Sequence, residues 1–168
     1  TELIIGNDGV PHTLESINIG CVTYTSRYFP NGEITEARYA QARTQASLQL
    51  LPVAKAYRDR GWLSALGCSG TIKAVEVIAI ANGWCESGIS LSAIEQLRTA
   101  LFDAGSIENI QIEALKDNRQ PVIAGGLVVL EAIFHALRLE HIDVSQSSLR
   151  EGLLYDLVGR SRREDIRE

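Results

Sequence analysis

The stretch Trp62–Lys73, WLSALGCSGTIK, constrains the fold more than any other part of the chain. The apolar run Leu63–Cys68 is too short for a helix, and with Gly61 and Gly67 at its flanks it predicts a buried strand. Small residues follow at once, and then a helix-forming run over Ile72–Asn82. We therefore expect a strand that turns directly into a helix.

A corner of this kind is suited to phosphate. The helix leaves backbone N–H groups pointing outward at its positive end. Gly67 and Gly70 permit close approach, and the hydroxyls of Ser69 and Thr71 add donors. The spacing around Lys73 does not fit the GxxxxGK[ST] mononucleotide loop. An ordinary strand–helix corner with a Ser or Thr cap explains the same residues, so the corner alone leaves both interpretations open.

Composition limits the class of protein. The 168 residues, 45% of them hydrophobic, suffice for one well-cored domain, and the net charge of −5 offers no basic surface to nucleic acid. Cys21, Cys68 and Cys85 lack CxxC spacing and predict reduced core thiols in a cytoplasmic protein. The scattered histidines do not suggest a metal cluster. No segment approaches the ~18 consecutive apolar residues of a membrane span, and no signal peptide is recognisable.

The N-terminal part predicts a hairpin. Thr1–Gly6 is strand-like, and Asn7-Asp8-Gly9 is a strong hairpin-turn signal. Alternating apolar residues then predict a half-buried second strand over Leu14–Tyr24, with Ile17 and Ile19 on one face.

A long amphipathic helix follows. Thr35 is the expected N-cap, and apolar residues recur at steps of three and four to about Arg60. Gly61 is expected to end the helix, and Pro52 to kink or divide it.

The second half alternates helices with a strand. Ser92 and Glu95 predict a capping box, and Ser106 the cap of a short helix. Pro121 opens an apolar helix in which Gly125-Gly126 permits close approach by another backbone or a ligand. A short strand over His141–Ser145 and a final helix complete an α/β layered domain.

Four stretches in order resemble the exopolyphosphatase / guanosine pentaphosphate phosphohydrolase family of the actin-like phosphotransferase superfamily. Thr1-Glu2 followed by LIIG matches the end of the family's acidic-glycine turn, DIGGGSTE. Gly67–Ala74 matches its second glycine turn, GxSGT followed by IKA. Pro121–Phe134 matches its packing helix, with Gly126 as the helix glycine, and Leu149–Tyr155 matches LREG-x-x-Y. The resemblance covers essentially the whole chain.

The resemblance implies an α/β, actin-like (ribonuclease H-like) fold: a mixed sheet with an N-terminal hairpin and helices on both faces. Residues 1–159 would be the family's second domain, and residues 160–168 a charged linker toward a C-terminal helical domain. The family's central strand before Thr1 has no counterpart here. Neither have its first domain and the glutamate expected to activate water. We expect a truncated or proteolysed form, or a sheet completed by another chain, that is inactive by itself.

The reaction implied by the resemblance is hydrolysis of a terminal phosphoanhydride, in inorganic polyphosphate or guanosine pentaphosphate, by a Mg²⁺-dependent homodimer. Such a reaction needs positioning and charge neutralisation more than covalent help from the protein. Glu2 would bind the metal or order water, although a solvent-facing strand residue is the alternative for Glu2. The residues that would bind phosphate are Thr1, Gly67, Ser69, Gly70 and Thr71.

Three other functions stay open at this point. Another actin-like phosphotransferase, such as a sugar or acetate kinase, would transfer phosphate to an acceptor rather than to water. A non-catalytic module would bind polyphosphate or guanosine tetra- or pentaphosphate without turnover. A structural dimerisation domain would tolerate changes in the cleft. The sequence does not separate polyphosphate from guanosine pentaphosphate as substrate.

Overall fold

The computed structural model of the chain describes residues 1–147, 151–154 and 157–158. Its strands are β1 (Glu2–Asn7), β2 (Val10–Ser16), β3 (Leu66–Gly67), β4 (Ile89–Ser90) and β5 (His141–Val144). Its α-helices are α1 (Cys21–Tyr28), α2 (Glu36–Arg60), α3 (Gly70–Ala81), α4 (Leu91–Ala104) and α5 (Ile123–Leu137). Two 3₁₀ helices cover Ile107–Asn109 and Gln120–Val122. Residues 151–154 and 157–158 are helical, whereas the predicted linker 160–168 and parts of the Leu149–Tyr155 motif lie outside the described residues.

The predicted hairpin is confirmed, but its second strand is shorter than expected. β1 and β2 pair antiparallel through a turn in which Asp8 and Gly9 have positive φ. The prediction that this strand continues to Tyr24 is wrong, because β2 ends at Ser16 and α1 begins at Cys21. Tyr24 and Tyr28 lie one helical turn apart on the buried face of α1. The alternating pattern therefore concealed a helical repeat.

A second sheet carries the predicted corner. Its strand order is β3-β5-β4, with β3 parallel and β4 antiparallel to β5, and no ladder joins it to the hairpin among the described residues. The prediction of a buried strand over Leu63–Cys68 is wrong in extent and burial. Among the described residues β3 pairs with β5 alone, and Leu66 is 68% exposed. Of the predicted run, Gly67 is buried.

The long helix α2 follows its sequence signals. The Thr35 hydroxyl oxygen accepts a hydrogen bond from the Arg38 N–H at 3.2 Å, which confirms the predicted N-cap. Gly61 ends the helix with φ of 72°, a conformation that favours glycine. The helix is not divided at Pro52 and runs continuously from Glu36 to Arg60.

Two predicted caps differ from the structure. α4 is capped by Ser90, whose hydroxyl accepts from the Ala93 N–H, and not by Ser92. Ser90 is also the last residue of β4, so the strand passes directly into the helix. Ser106 makes no side-chain cap and is followed by a single 3₁₀ turn. The Ile107 N–H donates to the Gly32 carbonyl at 2.7 Å instead, so pairing with a distant turn outweighs local helix formation.

The centre of the domain is α5, which packs against α1, α2, α3 and α4. Twelve of its fifteen residues are buried. The segment Gln120–Leu137 has the length and hydropathy of a membrane span, but 67% of it is buried inside the domain. In the described part of the chain, this apolar segment therefore forms the buried central helix of the domain.

One carboxylate interrupts that apolar helix. Glu131 is fully buried, and its oxygens accept hydrogen bonds from the Tyr39 hydroxyl at 2.7 Å, from Arg43 at 3.0 Å and from Arg98. Burial, followed by the neighbouring Glu131 charge, raises the pKa of Tyr39 well above its usual value, so the phenol remains a neutral donor. The cluster links α2, α4 and α5 through one buried carboxylate.

Candidate functional site

The strand–helix corner is a capped helix N-terminus, as the sequence predicts. The Ser69 hydroxyl oxygen accepts from the Ile72 N–H at 3.1 Å, and α3 begins at Gly70. A helix provides no internal partners for its first N–H groups, so those of Gly70 and Thr71 lie at the positive end of α3. This cap uses one lone pair of Ser69 and leaves its O–H able to donate. The ordinary cap and the phosphate site are therefore compatible.

The two glycines of the turn have different surroundings. A side chain at position 67 would place its Cβ 2.7 Å from Ile72 Cδ1 and 3.0 Å from Ile142 Cδ1, so Gly67 is required for packing beneath the turn. A side chain at position 70 would place its Cβ 2.4 Å from Arg119 Nη2. Gly70 is thus covered by a guanidinium rather than by the core.

Arg119 is the functional candidate that the sequence did not reveal. It lies in a polar loop just before the Gln120–Val122 turn, and its side chain reaches the start of α3. No carboxylate lies within salt-bridge distance of Arg119 in the part of the chain that the structure describes. A guanidinium offers several donors in a planar fork that matches phosphate. The start of α3 therefore carries a cation available to an anionic ligand.

The start of α1 lies beside the start of α3, and both contact the paired glycines of α5. A Cβ at Gly126 would lie 2.6 Å from the Thr71 methyl and 3.2 Å from Cys21 Cβ. A Cβ at Gly125 would lie 2.5 Å from the Cys21 carbonyl oxygen. The predicted close approach is therefore real. α1 begins at Cys21 without a side-chain cap, so no capping side chain accepts from its first N–H groups. These N–H groups lie near the start of α3.

Thr1 is placed near the start of α1. The Thr1 hydroxyl donates to the Ile19 carbonyl at 2.7 Å, and the Thr1 carbonyl accepts from the Ile17 N–H at 2.8 Å. Ile19 directly precedes Gly20, the N-cap of α1. Backbone contacts thus connect Thr1 to the same end of the domain as Thr71. The Glu2 side chain is 74% exposed on β1, and its Oε1 lies 3.9 Å from the Thr1 amino nitrogen.

Two further residues of the corner point elsewhere. Lys73 Nζ donates to the Gln146 carbonyl at 2.6 Å, so its charge is directed to the segment after β5. Cys68 is an exposed free thiol, and the prediction that it is a core residue is wrong. Its exposure follows from the position of β3 at the sheet edge. Cys21 and Cys85 are half-buried free thiols, and burial raises the pKa of Cys85.

The donor set for a metal is small. No group of three or more His, Cys, Asp or Glu side chains is placed to hold a metal ion among the described residues. Mg²⁺ commonly takes one or two carboxylates and completes its shell with water and substrate phosphates. The exposed oxygens of Glu2 fit one such position. The arrangement as a whole can hold a phosphate group by N–H donors and a guanidinium.

Comparison with known proteins identifies relatives of this chain. The chain matches the Ppx/GppA phosphatase family over residues 1–161. It is 37% identical over its full length to the guanosine-5′-triphosphate,3′-diphosphate pyrophosphatase of Aeromonas hydrophila, and 37% identical to that of Aeromonas salmonicida. The chain spans 34% of the length of each of these relatives.

Solved structures agree on the fold. An exopolyphosphatase from Cytophaga hutchinsonii has a TM-score of 0.76 at 21% identity, over 94% of this chain and 53% of its own. A Ppx/GppA phosphatase from Aquifex aeolicus has a TM-score of 0.73 at 20% identity, over 91% of this chain and 52% of its own. The predicted α/β, actin-like fold is therefore confirmed.

Proposed function

Because the chain belongs to the Ppx/GppA phosphatase family, we propose that it supplies the phosphate-holding part of a phosphohydrolase. The reaction is hydrolysis of a terminal phosphoanhydride. The proposed substrate is guanosine pentaphosphate, after the names of the Aeromonas relatives, or inorganic polyphosphate. Since the chain spans about a third of those relatives, this activity is proposed for a protein of their length, and the chain alone is expected to be inactive.

The observation that carries this proposal is Arg119 over Gly70 at the start of α3. A guanidinium that forms no ion pair with the described residues and the N–H groups of a helix start favour the same ligand, an anion with several oxygens. In phosphoryl transfer the transferred group carries charge on three equatorial oxygens, and donors already in place lower the barrier by stabilising it.

Each predicted residue has a proposed role at this site. The N–H groups of Gly70 and Thr71 and the O–H of Ser69 donate to phosphate oxygens, and Arg119 pairs with their charge. Gly67 shapes the turn, because Ile72 and Ile142 occupy the space that a side chain at this position would need. The Thr1 hydroxyl, which donates to the Ile19 carbonyl in the structure, is proposed to turn its O–H to phosphate from the side of the α1 start.

Glu2 is proposed to bind Mg²⁺ or to order the attacking water. Its carboxylate is exposed and makes no contact shorter than the 3.9 Å to the Thr1 amino group among the described ion pairs. A bound Mg²⁺ would supply charge neutralisation at the phosphate oxygens.

The surroundings of the enzyme are also proposed from its family. We place it in the cytoplasm, as a homodimer that acts on a soluble phosphate compound. Nucleic acid is not a proposed partner, because the net charge of −5 provides no basic surface.

Protection of Cys68 from alkylation tests phosphate binding at the turn. Cys68 is exposed and adjacent to Ser69, so a bound phosphate chain should cover it. Iodoacetamide labelling of the chain, resolved by peptide mass spectrometry, should slow about tenfold at Cys68 when tripolyphosphate is at about ten times its dissociation constant.

Cys85 provides the internal control, because it lies after α3 and its labelling rate should be unchanged. Chloride at matched ionic strength separates binding from screening. Equal labelling of Cys68 with and without tripolyphosphate would contradict phosphate binding at the turn.

A second candidate function is binding without turnover. It is favoured by one observation: no contact joins the carboxylate of Glu2 to residues 69–71 in the described part of the chain. Protection of Cys68 by tripolyphosphate, combined with no phosphate release by the full-length protein, would support this binding module.

A further inference from the structure

A surplus of positive charge surrounds the buried carboxylate of α5. Glu131 is fully buried, and both Arg43 from α2 and Arg98 from α4 donate to the same oxygen, Oε1. The other oxygen, Oε2, accepts from the neutral Tyr39 hydroxyl at 2.7 Å. The Nε2 atom of His135, one helical turn along α5, lies 3.6 Å from Oε1. Two guanidiniums therefore share one negative charge, and we call Arg43, Arg98 and His135 the cationic cluster.

The cationic cluster is open to solvent, although the carboxylate that anchors it is not. The side chains of Arg43, Arg98 and His135 are 40%, 24% and 47% exposed. In the part of the chain that the structure describes, each guanidinium makes one hydrogen bond, from Nη1 to Oε1 of Glu131. An arginine can donate five such bonds, so most of these donors are left for water or a ligand.

No second carboxylate balances this charge. Within residues 1–147, 151–154 and 157–158, Glu131 is the one acidic side chain within salt-bridge distance of the cationic cluster. A partly buried charge without a counterion is costly, because it loses hydration and gains no ion pair. An anion bound beside the two arginines would remove this cost. Since the chain carries a net charge of −5, the cluster is a local exception on an acidic protein.

The donors of the cationic cluster suit an anion with several oxygens. They come from three helices, α2, α4 and α5, which the buried carboxylate already links. A guanidinium presents a planar fork of N–H groups that matches two oxygens of a phosphate. Two such forks, held close together by one shared oxygen, can pair with a single phosphate group.

The cationic cluster lies apart from the α3 start. Gly126, which contacts Thr71 of α3, precedes Glu131 by five residues of α5. This spacing is a rise of about 7.5 Å and a rotation of about 140° around the helix axis. Gly126 accordingly faces α1 and α3, whereas Glu131 faces α2 and α4. A ligand at the cationic cluster is therefore separate from a phosphate at the α3 start.

We propose that the cationic cluster binds a phosphate group, either free inorganic phosphate or one unit of a polyphosphate chain. The exposed N–H groups of Arg43 and Arg98 pair with its oxygens while their Nη1 atoms stay on Glu131, and His135 adds a third donor. This second anion site goes beyond the proposed function and does not depend on it.

Proton NMR of the three histidines tests this site in the 168-residue chain. At constant pH, inorganic phosphate should shift the His135 imidazole signal saturably, and His135→Gln identifies that signal. The signals of His12 in β2 and His141 in β5 should not move. Sodium chloride at equal ionic strength is the control for screening. Tripolyphosphate is the second probe, and a shift with tripolyphosphate alone would assign the site to a phosphate chain.

Arg43→Gln removes the surplus charge while Arg98 and Tyr39 still donate to Glu131. We expect the dissociation constant of the probe, measured at His135, to rise at least about tenfold, the usual loss for a hydrogen bond to a charged group. Urea unfolding shows whether the variant is folded.

Arg60→Gln is the matched control, because it makes the same charge change on α2 at an exposed position outside the cluster. It should leave the His135 shift unchanged, and so should Arg119→Gln at the α3 start. A His135 signal that responds to both probes no more than to chloride would overturn the proposal, whether or not Arg43→Gln folds. Unchanged affinity in a folded Arg43→Gln would also overturn it. Phosphate binding at the turn is reported separately by Cys68 labelling, so the two sites fail independently.

Discussion

Replacement of Gly70 by valine is expected to lower Mg²⁺-dependent phosphate release by the full-length protein at least about 100-fold. A Cβ at this position would lie 2.4–2.5 Å from three atoms of the Arg119 guanidinium. The guanidinium must move away from the α3 start, and the added methyl groups block the N–H groups that face the phosphate. Loss of a single preorganised donor costs about 10²- to 10³-fold in kcat.

The fold should tolerate this change. The atoms that conflict with a residue 70 side chain belong to the flexible end of an arginine, not to the core or to backbone. Urea unfolding of Gly70→Val should therefore give a free energy within about 1 kcal/mol of wild type. Gly152→Val is the control, because a Cβ there meets no atom of the described residues within 4 Å. Full activity in Gly70→Val would show that the turn only shapes the fold.

Replacement of Gly125 by alanine should have the opposite profile, with a large loss of stability. A Cβ there would lie 2.5 Å from the Cys21 carbonyl oxygen and 2.5 Å from the Thr25 nitrogen. These are backbone atoms of α1, so the conflict is relieved only by moving one helix away from another. We expect the free energy of unfolding to fall by about 2–4 kcal/mol, at or above the upper end of usual overpacking costs.

Urea denaturation of the 168-residue chain measures this effect from the shift in midpoint at constant slope. Gly126→Ala should cost less, because its nearest neighbours, at 2.6 and 3.2 Å, include side-chain atoms of Thr71 and Cys21 that can shift. Gly152→Ala should change stability by less than about 1 kcal/mol. If Gly125→Ala unfolds at the same midpoint as wild type, the helix contact described here is wrong.

Local sequence signals predict the structure correctly where neighbouring residues determine the conformation. The Thr35 cap, the Gly61 stop and the turn at Asp8-Gly9 depend on neighbouring residues, and all three appear as predicted. The prediction that the second strand continues to Tyr24 is wrong because Ile17 and Ile19 are buried in a connecting segment whose alternation resembles a strand. The prediction that β3 is buried is wrong because burial of a strand depends on its neighbours, and β3 pairs with one strand among the described residues.

The site divides in the same way. Ser69 and Gly70 lie in a recognisable strand–helix corner, and the family resemblance predicts that they bind phosphate. Arg119 belongs to a polar loop with no local motif, and a tertiary contact brings it to the turn. Sequence patterns report what a segment forms, whereas the fold decides which distant side chains meet.

The most direct test of a phosphate site at the α3 start is phosphate release from guanosine pentaphosphate by the full-length protein and its Arg119→Gln variant. Arg60→Gln is the control, because Arg60 is exposed in the last turn of α2. We predict that Arg119→Gln lowers kcat/KM at least about 100-fold with an unchanged unfolding midpoint, while Arg60→Gln matches wild type. Equal phosphate release by all three proteins would contradict the role of Arg119 at the α3 start.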